Sequence, residues 1–147
     1  KLIRYADIIL LKAEALIEQG KDLDTARVLI NSVRRRAANS VDPNYTPIDC
    51  DPSIASYYVA EYPSQGWNQD YARRAVRMER RLELAMEGHR WFDLVRWGVA
   101  VETMNQYYRT EQRLRSYYET ASMSADELYF PIPLSQVEIS GGLYDKK

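Results

Sequence analysis

Two apolar stripes at helical spacing, separated by a single glycine, constrain what the first quarter of the chain can become. Ala6, Ile9, Ala13, Leu16 and Ile17 recur at intervals of three and four within residues 2–19, which places them on one face of a helix. Ile8, Leu11 and Ala15 broaden that face, so the helix is expected to be covered on two sides. Ala26, Leu29, Ile30, Val33 and Ala37 repeat the pattern over residues 24–38. Gly20 stands where a left-handed C-terminal cap is wanted, and Asp22 or Asp24 can cap the second helix. Two helices joined by so short a turn form an antiparallel hairpin.

The interval from Tyr5 to Ala38 is 34 residues, the length of one tetratricopeptide unit, although the sequence carries no second copy. Residues 39–69 change character. Pro43, Pro47, Pro52 and Pro63 forbid a continuous helix there, and Tyr45, Tyr57, Tyr58, Tyr62 and Trp67 crowd the same stretch. A loop this long is functional or disordered in most compact domains, and its aromatic content argues against plain disorder. A short helix fits Ser53 to Val59. Helical spacing returns over 70–88, with Ala75, Met78, Leu82 and Ala85 on one stripe, and over 89–107, with Phe92, Val95, Val99 and Tyr107. Gly88 bends or ends the first, and Gly98 weakens the second. Residues 109–122 read as a polar helix. Tyr129-Phe130-Pro131-Ile132-Pro133 is extended, because each proline biases its predecessor away from helix, and Gly141-Gly142 marks a last turn. The expected architecture is all-α: a tetratricopeptide-like helix hairpin, a charged helical scaffold, long irregular loops and an extended C-terminal tail.

The chain has 147 residues, 20 Lys plus Arg against 21 Asp plus Glu, and a net charge of −1. Length fits one domain, and the balance excludes a collagen-like chain, a highly charged disordered tail and a disulfide scaffold. Cys50 is the single cysteine. No apolar run approaches the ~20 residues that span a bilayer. The sequence opens Lys1-Leu2-Ile3, directly in a helical pattern and without the layout of a signal peptide, so residues 1–147 are expected to be a piece of a longer or processed protein.

The densest charged stretch runs from Glu79 to Trp97. Arg80/Glu83, Glu87/Arg90, Arg90/Asp93 and Asp93/Arg96 are three apart and neighbours on a helix, so Glu79, Arg81, Glu83, Glu87, Arg90, Asp93 and Arg96 are read as a structural ion-pair network. Glu83 and Glu87, one turn apart, have the spacing of a glycosidase pair. Adjacent arginines would hold both ionised, however, and no catalytic residue is assigned. His89 is the only histidine and has no nucleophile motif to serve. Cysteine and histidine spacing supports no zinc site, Asp49 and Asp51 lack the ordered calcium-loop pattern, and no phosphate-cradling glycine motif calls for a cofactor. Arg34-Arg35-Arg36 and Arg73-Arg74-Arg77 read as solvated or ion-paired faces, not as a nucleic-acid surface. The ligand candidates are Tyr57, Tyr58, Tyr62 and Trp67, whose ring faces suit the C–H face of a sugar, with Asn68 and Gln69 offering donors and acceptors. The alternative is that these aromatics anchor the loop to the helices.

Three blocks resemble the C-terminal part of the SusD/RagB-like outer-membrane nutrient-binding lipoproteins of Bacteroidetes. They are Arg4-Tyr5-Ala6-Asp7-Ile8 with Ala13-Glu14-Ala15 and Ile30-Asn31, the run from Glu79-Arg80-Arg81 through Gly88-His89-Arg90-Trp91-Phe92-Asp93 to Trp97-Gly98, and Tyr129-Phe130-Pro131-Ile132-Pro133. The resemblance implies a helical fold built on tetratricopeptide-like pairs. It implies non-catalytic binding of a glycan or similar nutrient at the cell surface, delivered to a TonB-dependent, SusC-like outer-membrane transporter. It also implies membrane attachment only through an N-terminal lipid anchor that lies outside this chain. Ser140-Gly141-Gly142-Leu143-Tyr144 departs from the Asn-rich ending common in the family. The motif blocks present are scaffold, and much of the family's ligand site comes from upstream sequence. A helical protein-interaction module that contacts the transporter or a peptide, without binding glycan, is the competing reading. An enzyme using Glu83 and Glu87 is a third.

Overall fold

The structure, a computed structural model, describes residues 3–39 and 59–144. Among these the regular structure is all helical: α1 (Tyr5–Glu18), α2 (Leu23–Asn39), α3 (Gln69–Glu83), α4 (His89–Arg96), α5 (Ala100–Glu111) and α6 (Leu134–Ile139), with 3₁₀ turns at Ser116–Tyr118 and Ala125–Leu128. The chain divides into two compact units, Lys1–Gly88 and His89–Lys147.

In the first unit α1 and α2 make the expected hairpin and α3 lies against both. Leu10, Ala13 and Ile17 of α1, Ala26 and Ile30 of α2, and Ala72 and Val76 of α3 have no exposed surface. An alanine from each helix at the centre lets the backbones approach closely, while Leu10, Ile17, Ile30 and Val76 each contribute about 1.5–3 kcal/mol by leaving water. The buried stripe of α1 is Ala6, Leu10, Ala13 and Ile17, with Ile9 and Leu16 at its margin. Leu10 belongs to it although the spacing argument passed it over. Ile8, Leu11 and Ala15 are exposed, so among the described residues α1 is covered on one side, the side that faces α2 and α3.

The turn between α1 and α2 follows the expected chemistry. Gly20 is left-handed (φ 65°). Its N–H donates to the Ile17 carbonyl (3.0 Å) and that of Lys21 to Leu16 (3.1 Å), the paired bonds that close a helix on a glycine. Asp22 caps α2 by accepting from the Thr25 N–H at 3.2 Å.

Three expected helices are shorter or differently divided. The helix over 70–88 ends at Glu83, because Met86 (φ 66°) and Gly88 (φ 81°) are both left-handed and cannot continue it. The helix over 89–107 is two helices. Gly98 (φ 69°) closes α4, with its N–H on the Val95 carbonyl and that of Val99 on Leu94, both at 3.0 Å. The polar helix over 109–122 does not form: α5 stops at Glu111, and one 3₁₀ turn follows. Residues 109–122 carry no apolar stripe at helical spacing, so a helix here would bury little surface. The expected short helix over Ser53–Val59 falls, except for Val59, outside the described residues.

In the second unit the chain returns to α5 through Asn105. Its Nδ2 donates to the Met123 carbonyl (2.8 Å) and its Oδ1 accepts the Met123 N–H (2.9 Å). The segment 129–133 is extended and leads into α6, a helix the sequence reading did not foresee. An open hollow of about 830 Å³ beside this segment is lined by Trp91, Tyr129, Phe130 and Tyr144, with Asp126 and Glu127 among its polar residues.

Candidate functional site

Residues 60–69 bring the chain from the proline-rich stretch back to α3, and they carry the described ligand candidates. Asn31 of α2 receives this limb: its Nδ2 donates to the Tyr62 carbonyl (3.0 Å) and its Oδ1 accepts the Tyr62 N–H (2.8 Å). Arg34 donates from Nε to the Ala60 carbonyl, and Arg35 grips Glu61 through two bonds of 2.8 and 2.9 Å. A turn at Ser64–Trp67, with Gly66 left-handed (φ 73°), then delivers Trp67.

The rings of Tyr62, Trp67 and Tyr71 form a knot against the three-helix core. Centroids lie 5.8 Å apart for Tyr62–Trp67, 6.0 Å for Tyr62–Tyr71 in an edge-on arrangement, and 5.2 Å for Trp67–Tyr71. Such tilted and edge-on contacts suit aromatic quadrupoles. The Arg34 guanidinium stands 4.7 Å over the Tyr62 ring, and burial, partly offset by Arg34, pushes the Tyr62 phenol above its ordinary range. Tyr71 was not singled out by sequence reasoning. Its position four residues after Trp67, across the start of α3, was the available signal.

Each of the described candidates has an anchoring contact. Trp67 Nε1 donates to the Leu23 carbonyl (2.9 Å). Asn68 Oδ1 caps α3 by accepting the Tyr71 N–H (2.9 Å). Gln69 Nε2 donates to the Ile17 carbonyl (2.6 Å) at the end of α1. Tyr62, Trp67, Asn68 and Gln69 are thus brought together, with half-buried rings, while Tyr57 and Tyr58 lie outside the described residues.

The charged residues are paired mainly across helices instead of along one. Glu79 takes Arg34 at 2.8 Å, and Glu83 takes both Arg4 (2.7 Å) and Arg36 (2.6 Å). Arg4 also binds Glu87 at 2.7 Å and donates to the Glu83 carbonyl at 2.6 Å. Glu83 ends α3 and Glu87 sits in the following turn, so the two carboxylates are united by one guanidinium and not by helical stacking. Arg80 pairs with Asp7 at 2.7 Å, both buried. Arg81 is exposed. In the second unit Asp93 pairs with Arg96 at 2.9 Å, and Arg90 lies 5.9 Å over the Trp97 ring. Glu79 is raised by burial, which Arg34 partly offsets, whereas Arg73 holds Glu18 below the usual carboxylate range. The run Arg34-Arg35-Arg36 is taken up by Glu79, Glu61 and Glu83, and Arg73 by Glu18 and Asp70.

Among the described residues no group of three His, Cys, Asp or Glu is placed to hold a metal ion, and no helix is long and apolar enough to cross a membrane. Asp49, Cys50 and Asp51 lie outside them. Between α1 and α2 an open groove of about 710 Å³ is lined by Ile3, Tyr5, Ile9, Leu29 and Val33, with Arg4 and Arg36 at its edge.

An all-α scaffold with a tetratricopeptide-like hairpin agrees with comparison to known proteins. The SusD family model matches residues 1–146, and the chain belongs to that family. It is similar to three proteins of Formosa agariphila. SusD-like protein P38 is 37% identical over 103 residues, which is 70% of this chain and 18% of that protein. SusD-like protein P25 is 26% identical over 143 residues, covering 95% and 22%. SusD-like protein P2 is 32% identical over 100 residues, covering 68% and 17%. The chain therefore spans about a fifth of the length of these curated relatives.

Proposed function

We propose that the chain is the C-terminal portion of a longer SusD/RagB-like helical protein. In this reading the protein binds a glycan or similar nutrient at the bacterial cell surface without catalysis. It delivers that nutrient to a TonB-dependent, SusC-like outer-membrane transporter and is held at the membrane by a lipid anchor upstream of this chain. The observation that carries the reading is the SusD family match along residues 1–146. The aromatic knot of Tyr62, Trp67 and Tyr71 supports it with rigid, partly accessible ring faces. Binding without turnover is supported by the commitment of both Glu83 and Glu87 to Arg4. A glycosidase needs two carboxyl groups facing substrate, one of them carrying a proton.

Affinity electrophoresis through a panel of polysaccharides tests this. Retardation by at least one polysaccharide is expected, and migration unchanged by every member of the panel overturns it. The second reading, a helical protein-interaction module contacting the transporter or a peptide, is favoured by the α1–α2 groove. It predicts capture of a partner protein and indifference to polysaccharide.

A further inference from the structure

Four tyrosines lie at and just beyond the end of α5, and sequence reasoning named only Tyr107 of them, as part of an apolar stripe. Tyr107 and Tyr108 sit on its last turns, and Tyr117 and Tyr118 on the 3₁₀ turn that follows the reversal. The fold gathers them into one patch. Centroids lie 6.1 Å apart for Tyr107–Tyr108, 5.8 Å edge-on for Tyr107–Tyr118, 5.7 Å stacked for Tyr108–Tyr118 and 4.5 Å for Tyr117–Tyr118. Tyr107, Tyr108 and Tyr118 touch one another and Tyr117 lies against Tyr118 alone, and Tyr117 remains 69% exposed and Tyr107 42%.

The rim of the patch is polar. The Tyr118 hydroxyl interacts with that of Tyr107, which raises its phenol above the ordinary range, and with that of Tyr117, which acts the other way. Arg115 stands beside Tyr117 and is held by Glu111, Nη1 to Oε2 at 3.1 Å. The backbone beneath is fixed. Arg115 N–H donates to Glu111 at 2.9 Å, Tyr118 N–H to Arg115 at 3.1 Å, and Ala121 N–H to Tyr118 at 3.0 Å. The Asn105–Met123 pair closes the return of the chain onto α5.

We infer that Tyr107, Tyr108, Tyr117 and Tyr118 form a stacking platform for a pyranose ring of an oligosaccharide, with the phenol hydroxyls and Arg115 meeting the sugar's hydroxyl rim. The chemistry favours this occupant. A pyranose shows an apolar C–H face and an edge of hydroxyls. The exposed ring of Tyr117, backed by Tyr118 and bordered by the Tyr107, Tyr117 and Tyr118 hydroxyls and the Arg115 guanidinium, matches both parts. The rings are held in place before binding, so little side-chain entropy is lost on contact. The inference rests on the glycan-binding reading and adds a second place of contact, remote in sequence from Tyr62 and Trp67.

The test uses the 147-residue chain, with amylopectin, laminarin and xylan as neutral probes and alginate and chondroitin sulfate as acidic ones. Wild type is run beside Tyr117→Ala and Tyr117→Phe in affinity electrophoresis. For whichever probe retards wild type, Tyr117→Ala should weaken binding roughly fivefold, the scale of one lost aromatic contact, and Tyr117→Phe should weaken it less. Retardation only by acidic probes points to charge recognition, and retardation by neutral probes to hydroxyl recognition. In wild type the retarding glycan should also slow nitration of Tyr117 by tetranitromethane, mapped by mass spectrometry. This readout needs no variant to fold. Retarded wild type with Tyr117→Ala unchanged, or with nitration unprotected, overturns the platform and leaves the glycan-binding reading standing. Wild type retarded by no probe overturns both.

Discussion

Asn31 occupies both backbone polar groups of Tyr62, giving a donor to its carbonyl at 3.0 Å and an acceptor to its N–H at 2.8 Å. The side chain is 2% exposed. It supplies Tyr62 with the hydrogen bonds a neighbouring strand would otherwise provide, and so holds an irregular limb against a helix.

Replacement of Asn31 by Leu keeps the branched skeleton and removes both bonds. Two backbone groups are then left beneath a ring cluster, and the expected loss is about 2 kcal/mol. Urea denaturation monitored by circular dichroism measures it. Trp67 fluorescence should report a loosened limb at urea concentrations below those that melt the helices.

Asp7→Ala withdraws a carboxylate from an Arg80 that is 3% exposed. Taking one partner from a buried ion pair costs about 3–5 kcal/mol, far more than the pair contributes relative to an apolar replacement. The double variant Asp7→Ala with Arg80→Met should therefore be more stable than Asp7→Ala alone. A double variant that melts below the single one would sink this account.

Glu18 and Glu79 should give pH dependences of opposite sign. Arg73 depresses Glu18, so its stabilising effect is complete above the ordinary glutamate value of 4.5 and is lost as pH falls through the depressed one. Burial raises Glu79, with Arg34 opposing, so its contribution is complete below 4.5 and is lost as pH rises through the raised value. Linkage fixes these signs. Thermal melts from pH 3 to 7 should show Glu18→Gln penalised most at neutral pH. Glu79→Gln should lose further ground to wild type as pH falls from 7 toward 4.5.

Gly98→Ala tests the break between α4 and α5. A Cβ at Gly98 meets no atom within 4 Å, but the backbone is left-handed at φ 69°. The cost is therefore conformational alone, about 1–2 kcal/mol, and is read from chemical denaturation. Gly66→Ala, at φ 73° and equally open, should cost a similar amount.

The α1–α2 hairpin was legible because period, cap and turn agree over residues 5–39. Gly20 and Asp22 stand where the helix ends require them. Gly98 was legible as a weak point but not as a full stop, since a glycine inside a helical pattern reads the same in either case. The ends of the charged stretch were harder. Glu79 and Glu83 look toward Arg residues one turn away in sequence, yet α3 packs against α1 and α2 and presents Arg34, Arg36 and Arg4 to them. Spacing along one helix carries no information about which other helix will face it. The tyrosine patch shows the same limit in reverse. Two Tyr-Tyr pairs nine residues from one second tyrosine to the next first are visible in the sequence, but a polar helix over 109–122 would have spread them, and only the stop at Glu111 brings them together.

The link between Asp7 and Arg80 spans 73 residues, whereas α1 and α2 meet across a turn of four. Local contacts form first, and distant ones wait on chain closure. The hairpin is then the expected early event and the arrival of α3 the expected late one. Substitutions at Ile30 should slow folding and substitutions at Arg80 should speed unfolding, which stopped-flow chevrons measure. Both ions stay hydrated until α3 arrives, so the two charges surrender their water in a single late step.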